Sequence, residues 1–421
     1  MNLTRSIMCC RRDAGRFGRR SRGGWLASLL FAIILTPLAH PATAQDRCEA
    51  AEHGMRPDAS DSTAALTRTL TECAGRIIHV PSGIYVFAPN GFAVGVSIPA
   101  GTTLLGDGAE GSQATVFRVG PSGNFQALLW IRNVSNISIH GIDFEGTPYE
   151  SGCTRDLDYG HAIFVQSDAG QAQGVENVDI SNNRFRDFNG RSWVTINAAD
   201  ASPGIGLSSS ITVRNNAFDS DASLSGSCAA SASMADTAAM IDLHGSNKSG
   251  QGTVRNVAIT SNLLNAAYVK EGIEVWSGTV NIEIAGNSIT DTGLQLPWRP
   301  GAELGRYAIL IYHSAYEQPG LYPTSIRVAG NTITNPVSCG IYVAAGRNLE
   351  IIANRISGQR DRFDGTLLKG AIALNHGLGV VHVRDNELAG NYIGISSVGN
   401  PPDMSANRID VPPGGVATKI R

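Results

Sequence analysis

Large aromatic side chains are scarce in this sequence. The 421 residues include 48 Gly but only 12 Phe, and 42% of all residues are hydrophobic. A chain of this length can bury a large core, yet a composition rich in Gly and poor in Phe disfavours a helical enzyme. The composition therefore favours a turn-rich β protein.

A hydrophobic run long enough to cross a membrane is missing near the start of the chain. The apolar stretch WLASLLFAIILTPL has 14 residues and contains Pro37, whereas a spanning helix needs roughly 20. Arg-rich sequence precedes it, and Ala42 and Ala44 follow it, which is typical of a secretory signal peptide. We expect residues 1–44 to be removed, leaving a secreted or periplasmic protein with no membrane anchor.

A surplus of positive charge is also absent. The chain has 33 Lys and Arg against 36 Asp and Glu. The first 44 residues hold seven Arg and one Asp, so their removal leaves 26 basic and 35 acidic residues and a net charge of −9. An acidic exported protein is a poor partner for nucleic acid. It would need a cation or a local basic patch to hold a polyanion.

Cysteine is sparse, with five residues left after the signal segment. In an oxidising compartment such residues tend to form disulfides. Cys48 and Cys73 flank an expected N-terminal helix, and Cys153 and Cys228 lie in polar loops, so both pairs are predicted to be bridged. Cys339 precedes the apolar segment GIYV and is expected to be a buried free thiol.

A nine-residue pattern recurs along the chain. The stretch NVDISNNRF, residues 177–185, returns as SITVRNNAF, NVAITSNLL, NIEIAGNSI, SIRVAGNTI and NLEIIANRI. The Asn residues at the shared position are Asn183, Asn216, Asn262, Asn287, Asn331, Asn354, Asn386 and Asn407. Asn tolerates left-handed backbone torsions at a bend and can bond to neighbouring amides. We therefore expect these Asn residues to be structural, and a short unit with loops of variable length indicates a solenoid.

A second apolar segment, such as HAIFV, AMIDLH or GIEVW, lies between successive Asn units. Each coil then holds a strand, a bend at Asn, a second short strand, a loop and a third strand. This layout predicts an all-β, single-stranded right-handed parallel β-helix. We expect one domain over residues 45–421, with an N-terminal cap and first coils at 45–120 and repeat coils at 130–411.

The N-terminal segment resembles a known module. HGMRPDASDSTAALTRTLTECAGRIIHVPSGIYVF, followed by VSIPAGTTLLGDG, looks like the opening of pectate-lyase-superfamily β-helix proteins. That opening has an Asp-rich turn, a helix, a Val-Pro-x-Gly-x-Tyr strand and a Gly-Asp-Gly turn. The residues at those places are Asp58, Asp61, Ser62, Thr63, Ala64, Ala65, Val80, Pro81, Gly83, Tyr85, Gly106, Asp107 and Gly108. Ser60 or Asp61 is expected to cap a helix over about 62–74, whose apolar face covers the open end of the solenoid.

The catalytic signatures of related enzymes are missing. The chain contains no Asp-Pro-His-Asp as in alginate epimerases, and none of the paired-Asp, Gly-His-Gly and Arg-Ile-Lys signatures of polygalacturonases. Alternation along the third strands instead predicts two outward columns of stacked side chains. The first is Phe164, Thr195, Asp242, Glu274, Leu310, Tyr342, Ala373 and Ser396. The second is Gln166, Asn197, His244, Trp276, Tyr312, Ala344 and Asn375.

The middle coils hold the candidate substrate-binding residues. Trp276 and Tyr312 are expected to lie one coil apart, and two exposed aromatic rings suit the apolar face of a sugar. Packing under the inserted loops is the plain alternative for either ring. Asn197, in the same column, and Trp298, in a flanking loop, complete the predicted substrate-binding set.

Acidic and basic side chains of the same coils are the candidate catalytic residues. Like charges opposite each other on neighbouring strands cost stability, so the stacking of Asp242 and Glu274 favours a functional role over a solvated or Arg-paired one. Lys270 and Glu271 precede the same strand, although VKEG also fits an exposed turn. The predicted catalytic set is Asp242, Glu274, His244, Lys270, His313 and Arg306.

One chemistry that fits these residues is β-elimination from a uronate. A base removes the proton next to the carboxyl group, and positive charge neutralises that carboxyl group. Asp242 and Glu274 are the predicted ligands of a Ca²⁺ ion, with Arg306 assisting. Lys270, His313 or Tyr312 would be the base.

Hydrolysis is the competing chemistry. Asp242 and Glu274 would then be the acid and the nucleophile, because neighbouring like charges raise the pKa of one of them. Strands about 4.8 Å apart also approach the roughly 5–5.5 Å carboxyl spacing of retaining glycosidases.

A polysaccharide is the expected partner, and the protein is expected to act as a monomer. The sequence favours a lyase acting on a uronic-acid-containing polysaccharide, with a glycoside hydrolase as the alternative. A non-catalytic polysaccharide binder or surface adhesin would use the same aromatic rings without acid/base groups. A purely structural protein of an envelope assembly would show outward columns without clustered acidic, basic or aromatic side chains.

Overall fold

Alternating apolar residues form short parallel strands throughout the described chain. The structure of the protein is a computed structural model that describes residues 47–88, 92–120, 124–146, 160–168, 174–188, 192–198, 207–220, 239–245, 254–267, 269, 271–293, 306–313, 321–359, 370–375, 377–398 and 402–420. These residues belong to the unit Gln45–Arg421. The expected signal peptide (residues 1–44) and the cysteines Cys153 and Cys228 lie outside the described residues and stay predictions.

Within the described residues the strands form three large sheets of eleven strands each. The strands of sheet A are Arg47–Glu49, Ile77–Val80, Thr103–Gly106, Ser135–His140, Val175–Ser181, Ser208–Arg214, Val254–Thr260, Thr279–Ala285, Thr324–Ala329, Gly346–Ile352 and Gly377–Arg384. The strands of sheet B are Gly83–Phe87, Thr115–Val119, Ile142–Glu145, Arg184–Arg186, Ala217–Asp219, Leu263–Asn265, Ser288–Thr290, Thr332–Thr334, Arg355–Ser357, Glu387–Ala389 and Arg408–Asp410.

Sheet C contains the third strand of each coil. Its strands are Val96–Ser97, Ala127–Arg132, His161–Ser167, Ser192–Ala198, Ala239–His244, Glu271–Val275, Tyr307–Ile311, Cys339–Val343, Gly370–Leu374, Ile393–Ser397 and Val416–Ile420. A small additional sheet pairs Phe92–Ala93 with Asn124–Phe125.

Successive coils stack directly on one another. Each coil adds one strand to sheet A, one to sheet B and one to sheet C, and each strand pairs in parallel with the equivalent strand of the next coil. In sheet A, for example, Val178 pairs with Ile211, and Ile211 pairs with Val257. The predicted fold, a single-stranded parallel β-helix, is confirmed.

The predicted N-terminal helix is present and spans Thr63–Glu72. The first N–H groups of a helix need acceptors outside the helix. Asp61 Oδ1 accepts from the backbone N of Thr63 at 2.9 Å and from its Oγ1 at 2.5 Å. The N-cap position itself is Ser62, whose side chain makes no capping bond, so the predicted cap position was wrong although Asp61 does bond to the first turn. Leu66 and Leu70 are almost fully buried and belong to the main hydrophobic core. The apolar face of the helix therefore joins the core of the solenoid.

The core fills the interior of the coils. Sheet B contributes a stack of Phe117, Phe144, Phe185 and Phe218, with ring centroids 5.8, 5.0 and 4.7 Å apart in that order. The same position in later coils is aliphatic, with Leu264, Ile289, Ile333, Ile356 and Leu388 buried. Aromatic and aliphatic columns of this kind stabilise the stack through apolar burial between neighbouring coils.

The repeated Asn residues form a buried ladder at the bend between sheets A and B. Asn287 Oδ1 accepts from the backbone N and the Nδ2 of Asn262, both at 3.0 Å. Asn287 Nδ2 donates to the carbonyl of Ile259 at 2.9 Å and to Oδ1 of Asn331 at 3.0 Å. The same bonds join Asn183, Asn216, Asn262, Asn287, Asn331, Asn354, Asn386 and Asn407. The predicted structural role of these residues is confirmed.

The left-handed torsion at the bend belongs to the residue before each ladder Asn, which corrects the sequence-based explanation. Positive φ angles of 53–65° occur at Asn182, Asn215, Ser261, Gly286, Gly330, Ala353, Asp385 and Ala406. The ladder Asn instead turns its side chain inwards, where its amide can bond to the adjacent coils. The residue before the ladder Asn therefore adopts the left-handed torsion, and the Asn itself makes the hydrogen bonds between coils. The sequence alone assigns both roles to the Asn.

The structure describes three of the cysteines, Cys48, Cys73 and Cys339. Cys48 and Cys73 form the expected disulfide, with a Cα–Cα distance of 6.1 Å. Cys339 is a buried free thiol, also as predicted. No helix among the described residues is long and apolar enough to cross a membrane.

Replacing Asn287 by Ala tests the ladder. The substitution removes four hydrogen bonds from a residue that is 1% exposed, and it leaves buried partners unsatisfied. We expect the free energy of unfolding to fall by about 2–5 kcal/mol, measured by denaturant titration. Asn407→Ala at the last rung is the matched control, because Asn407 is only half-buried, and should cost less. Equal losses would contradict the ladder as the source of stability.

Candidate functional site

The candidate site lies on the side of sheet C that faces away from the core, which we call the outer face. Thr195 pairs with Asp242, Asp242 with Glu274, and Glu274 with Leu310. Because the coils stack in register, equivalent residues become neighbours in space. The first predicted column is therefore confirmed.

A third column also lies on the outer face, and alternation did not predict it. Its members are Ala127, His161, Ser192, Ala239, Glu271, Tyr307 and Cys339. The residue after each of them points into the core. A Cβ on Gly272 would lie 3.1 Å from Ile289 Cγ2, and one on Gly340 would lie 2.6 Å from Ile356 Cγ2. Two consecutive residues of each strand thus face inwards, so the residue before them faces outwards.

Three acidic side chains lie on two adjacent coils of the outer face. Asp242, Glu271 and Glu274 are 1%, 2% and 8% exposed. Glu271 is the first residue of the strand Glu271–Val275, so it does not lie in the exposed turn that its sequence context also fitted. Burying carboxylates costs free energy, and like charges at paired positions add to that cost. Such groupings are more typical of functional sites than of structural surfaces.

The second predicted column is confirmed as a row of rings. Asn197 pairs with His244. The ring of His244 lies parallel to that of Trp276, with centroids 5.2 Å apart and an angle of 5°. Tyr312 meets Trp276 nearly edge-on at 4.5 Å and 70°. All four side chains are partly exposed, so the column is accessible to a ligand.

A second aromatic pair follows the acidic residues, and of its two members only Tyr342 belongs to a predicted column. Tyr307 and Tyr342 stack at 4.6 Å and 22°, and they pack with Leu310, Cys339 and Ala373 in a cluster separate from the main core. Burial, with a further contribution from nearby Cys339, raises the pKa of Tyr342 to about 12. The Tyr342 hydroxyl therefore stays protonated at neutral pH. A comparison of the residues two places before each strand's first core Ile would have revealed Tyr307 and Glu271.

Aromatic side chains also lie on the N-terminal side of the acidic residues. Phe164 stacks between Trp130, at 6.1 Å, and His161, at 5.1 Å. The Arg132 guanidinium is 4.8 Å from the Trp130 ring centroid. Thr195 Oγ1 lies 3.1 Å from His161 Nδ1. The outer face thus carries rings on both sides of Asp242 and Glu274.

His313 lies beyond the end of the outer-face strand. Its Nδ1 is 2.7 Å from Ser277 Oγ in the preceding coil. Its ring packs against Tyr322 at 4.3 Å, and the Arg347 guanidinium lies 5.0 Å from the centroid of that tyrosine ring. These contacts give His313 a structural role in joining coils, next to its predicted catalytic one.

Arg306 precedes the strand Tyr307–Ile311, at the opposite end from His313. Its Nη1 donates to the carbonyl of Gly293 at 3.4 Å. Lys270 and Trp298 lie outside the described residues, so their predicted roles are untested.

A cation at Asp242 and Glu274 would draw on two protein carboxylates. Ca²⁺ usually takes six to eight oxygen ligands. Among the described residues, Cys48, His53 and Cys73 form a group of three possible metal ligands. Their ligand atoms all lie within 4.8 Å of one another. The carboxylate pair is not part of such a group, and the Ca²⁺ site stays a prediction.

Comparison with protein-family models and with curated protein sequences gives no match. Several solved structures are similar. The mannuronan C-5 epimerase AlgE6 A-module of Azotobacter vinelandii is 12% identical, with 89% of this chain and 98% of that chain covered and a TM-score of 0.51. The surface protein and adhesin PfbA of Streptococcus pneumoniae is 13% identical, with 89% and 100% covered and a TM-score of 0.57. The tailspike protein of E. coli bacteriophage HK620, in complex with a pentasaccharide, is 12% identical, with 89% and 64% covered and a TM-score of 0.58.

These similarities establish the fold. At 12–13% identity they show a shared architecture, and they carry no information on whether an activity is shared. Together with the three parallel sheets, they confirm the right-handed parallel β-helix that the repeats and the N-terminal resemblance predicted.

The stacking of His244 on Trp276 predicts a pH-dependent fluorescence signal. Acidification protonates the imidazole, and an imidazolium in contact with indole quenches its emission. The tryptophan emission of the wild type should therefore fall more steeply on acidification than that of His244→Gln. His382→Gln is the matched control, since His382 lies on sheet A next to Asp403. Coincident pH curves for the wild type and His244→Gln would contradict the stack.

Proposed function

We propose that the protein is a polysaccharide-cleaving enzyme that binds its substrate along the outer face of sheet C. The pairing of Asp242 with Glu274, both buried and flanked by aromatic rings, carries the proposal. A structural spine would gain nothing from buried carboxylates at adjacent positions, which cost stability. Rings on both sides suit a chain of sugars lying along the solenoid axis.

The similar structures are compatible with a saccharide ligand. One is an epimerase named for mannuronan, and another is a tailspike bound to a pentasaccharide. The adhesin shows that the fold also serves proteins described by attachment rather than catalysis. The paired carboxylates favour an enzyme over a binder here, because binding through rings does not require them.

Hydrolysis is the first candidate chemistry, and the pairing of Asp242 with Glu274 in adjacent coils supports it. Parallel strands lie about 4.8 Å apart, and retaining glycosidases place their two carboxyl groups roughly 5–5.5 Å apart. One of Asp242 and Glu274 would protonate the leaving oxygen, and the other would attack the anomeric carbon. With little solvent around them, two adjacent carboxyl groups favour a state in which one retains a proton. That state is the one an acid and nucleophile pair needs.

β-Elimination from a uronate is the second candidate. Asp242 and Glu274, paired in adjacent coils, are the predicted cation ligands for this reaction, and among the described residues Glu271 does not form a three-ligand group with them. A bound cation would also offset the net charge of −9 when the substrate is itself acidic. Lys270, His313 and Tyr312 are the candidates for the base, with Arg306 assisting, and His313 Nδ1 lies 2.7 Å from Ser277 Oγ.

Product analysis separates these chemistries. The purified protein is incubated with neutral and uronic-acid polysaccharides, with and without chelator, and reducing ends and ultraviolet absorbance are followed. Hydrolysis yields reducing ends without an unsaturated, ultraviolet-absorbing product, and the activity survives chelation. Elimination yields the unsaturated product, and a calcium-dependent lyase loses activity with chelator. Retention of a polysaccharide without any product would replace the enzyme proposal with a binding function.

Substitution of the acidic pair tests its part in the reaction. Asp242→Asn and Glu274→Gln should each lower kcat by about 10²–10⁴-fold, because each removes a group that transfers a proton or attacks the substrate. Glu283→Gln is the matched control, since Glu283 is an exposed residue of sheet A bonded to Arg327. Folded variants of Asp242 and Glu274 with full activity would remove the pair from the mechanism.

Substitution of the rings tests the binding face. Trp276→Ala and Tyr312→Ala should each weaken polysaccharide binding by roughly 1–3 kcal/mol, measured by affinity electrophoresis or calorimetry. Trp276→Phe keeps an aromatic face and should retain most of the affinity. If the Ala variants fold and bind as tightly as the wild type, the substrate does not lie on this column.

A further inference from the structure

Metal-ligating side chains meet at the N-terminal end of the solenoid, among residues that the proposed catalytic site does not use. Cys48 lies in the first strand, and His53 ends the short 3-10 helix that follows it. Glu72 is the last residue of the α-helix, and Cys73 is its C-cap. Residues far apart in the sequence are thus brought to one point by the packing of the helix on the first coil.

The group has the residue types of a zinc ligand set, and in this structure its two sulfur atoms are bonded to each other. His53 Nε2 lies 3.2 Å from Cys48 Sγ, and the ligand atoms of Cys48, His53 and Cys73 all lie within 4.8 Å of one another. Zn²⁺ prefers tetrahedral sites of thiolate and imidazole ligands, and three protein ligands leave a fourth position for water. Both cysteines are at least 98% buried, at 2% and 0% exposed, so the sulfur atoms face little competing solvent.

Glu72 holds the imidazole in the orientation that a metal would need. His53 Nδ1 lies 2.5 Å from Glu72 Oε2, which leaves Nε2 as the nitrogen directed at the sulfur atoms. Zinc-bound histidines usually donate their other N–H to a carboxylate in this way, which fixes the ring and its tautomer. A disulfide alone has no need of this arrangement.

We propose that the dithiol form of the protein binds one Zn²⁺ through Cys48, His53 and Cys73, with Glu72 as a positioning residue. Binding releases the two thiol protons to solvent as the sulfur atoms become ligands. Oxidation by an external disulfide transfers two electrons to it and forms the Cys48–Cys73 bond. The external disulfide takes up two protons and becomes a dithiol, and Zn²⁺ is released.

Either state would tie the first strand to the end of the α-helix. In the oxidised state the link is covalent, and in the reduced state the metal joins the same residues. The proposal therefore gives the N-terminal end of the solenoid a link before the disulfide is formed. It is independent of any activity on the outer face of sheet C.

Cobalt is a suitable probe, because Co²⁺ replaces Zn²⁺ and is coloured. The full chain is reduced with a phosphine, freed of oxygen and titrated with Co²⁺. We expect one equivalent to bind, with the thiolate-to-cobalt charge-transfer band and the visible bands of a tetrahedral site. Zn²⁺ should displace the cobalt and raise the melting temperature of the reduced protein. The disulfide form should show neither effect.

His53→Gln is the decisive variant, because it keeps both thiols and the ability to form the disulfide. It should bind Co²⁺ at least about 10-fold more weakly, and Glu72→Gln should lose about 10–100-fold as an outer-shell change. The triple variant Cys153→Ser/Cys228→Ser/Cys339→Ser is the matched control and should bind like the wild type. Absence of the tetrahedral bands in the reduced wild type, or unchanged affinity in His53→Gln, would overturn the proposal.

Discussion

The hydrogen bonds of the Asn ladder are the constraint on which the rest of the structure depends. Each ladder Asn bonds to the backbone and side chain of the Asn in the adjacent coil, and to a carbonyl of sheet A. Its position is therefore set relative to its neighbours, and a shift of one residue would leave buried amides unsatisfied. The ladder thus holds every coil in the same register, although 21 to 46 residues separate successive Asn residues.

A fixed register has a direct consequence for the candidate site. Equivalent residues of successive coils become neighbours on the outer face of sheet C and form continuous columns. A substitution at one position therefore changes one side chain of a column and leaves the others in place. Loops of different length can then be inserted between sheets without disturbing the column. Asp242 and Glu274 meet for this reason, with Thr195 before them and Leu310 after them.

The outer face combines groups with opposite effects on stability. Removing the carboxyl groups of Asp242, Glu271 and Glu274 from water costs free energy, whereas the packed rings of Trp276 and Tyr312 and the apolar Tyr307 cluster favour folding. The solenoid can tolerate the unfavourable groups because its core and ladder stabilise each coil separately from the outer face. Functional residues can therefore collect there without a change of fold.

Short-range patterns that recur in every coil were enough to predict the β-helix, the positions of the ladder Asn residues and two outward columns. The Cys48–Cys73 bridge was predicted from two cysteines that flank an expected helix. The third column could be found only in the folded chain, since two consecutive residues of each sheet C strand face the core and strict alternation fails there. Glu271 and Tyr307 reach the outer face for this reason. The left-handed torsion before each ladder Asn, and the contacts of His313 with Ser277 and of Arg306 with Gly293, were likewise beyond the sequence. The contact of His313 with Ser277 joins adjacent coils, whose separation along the chain is set by loops that the repeat pattern does not describe, and Gly293 and Arg306 stand on either side of one such loop in the sequence.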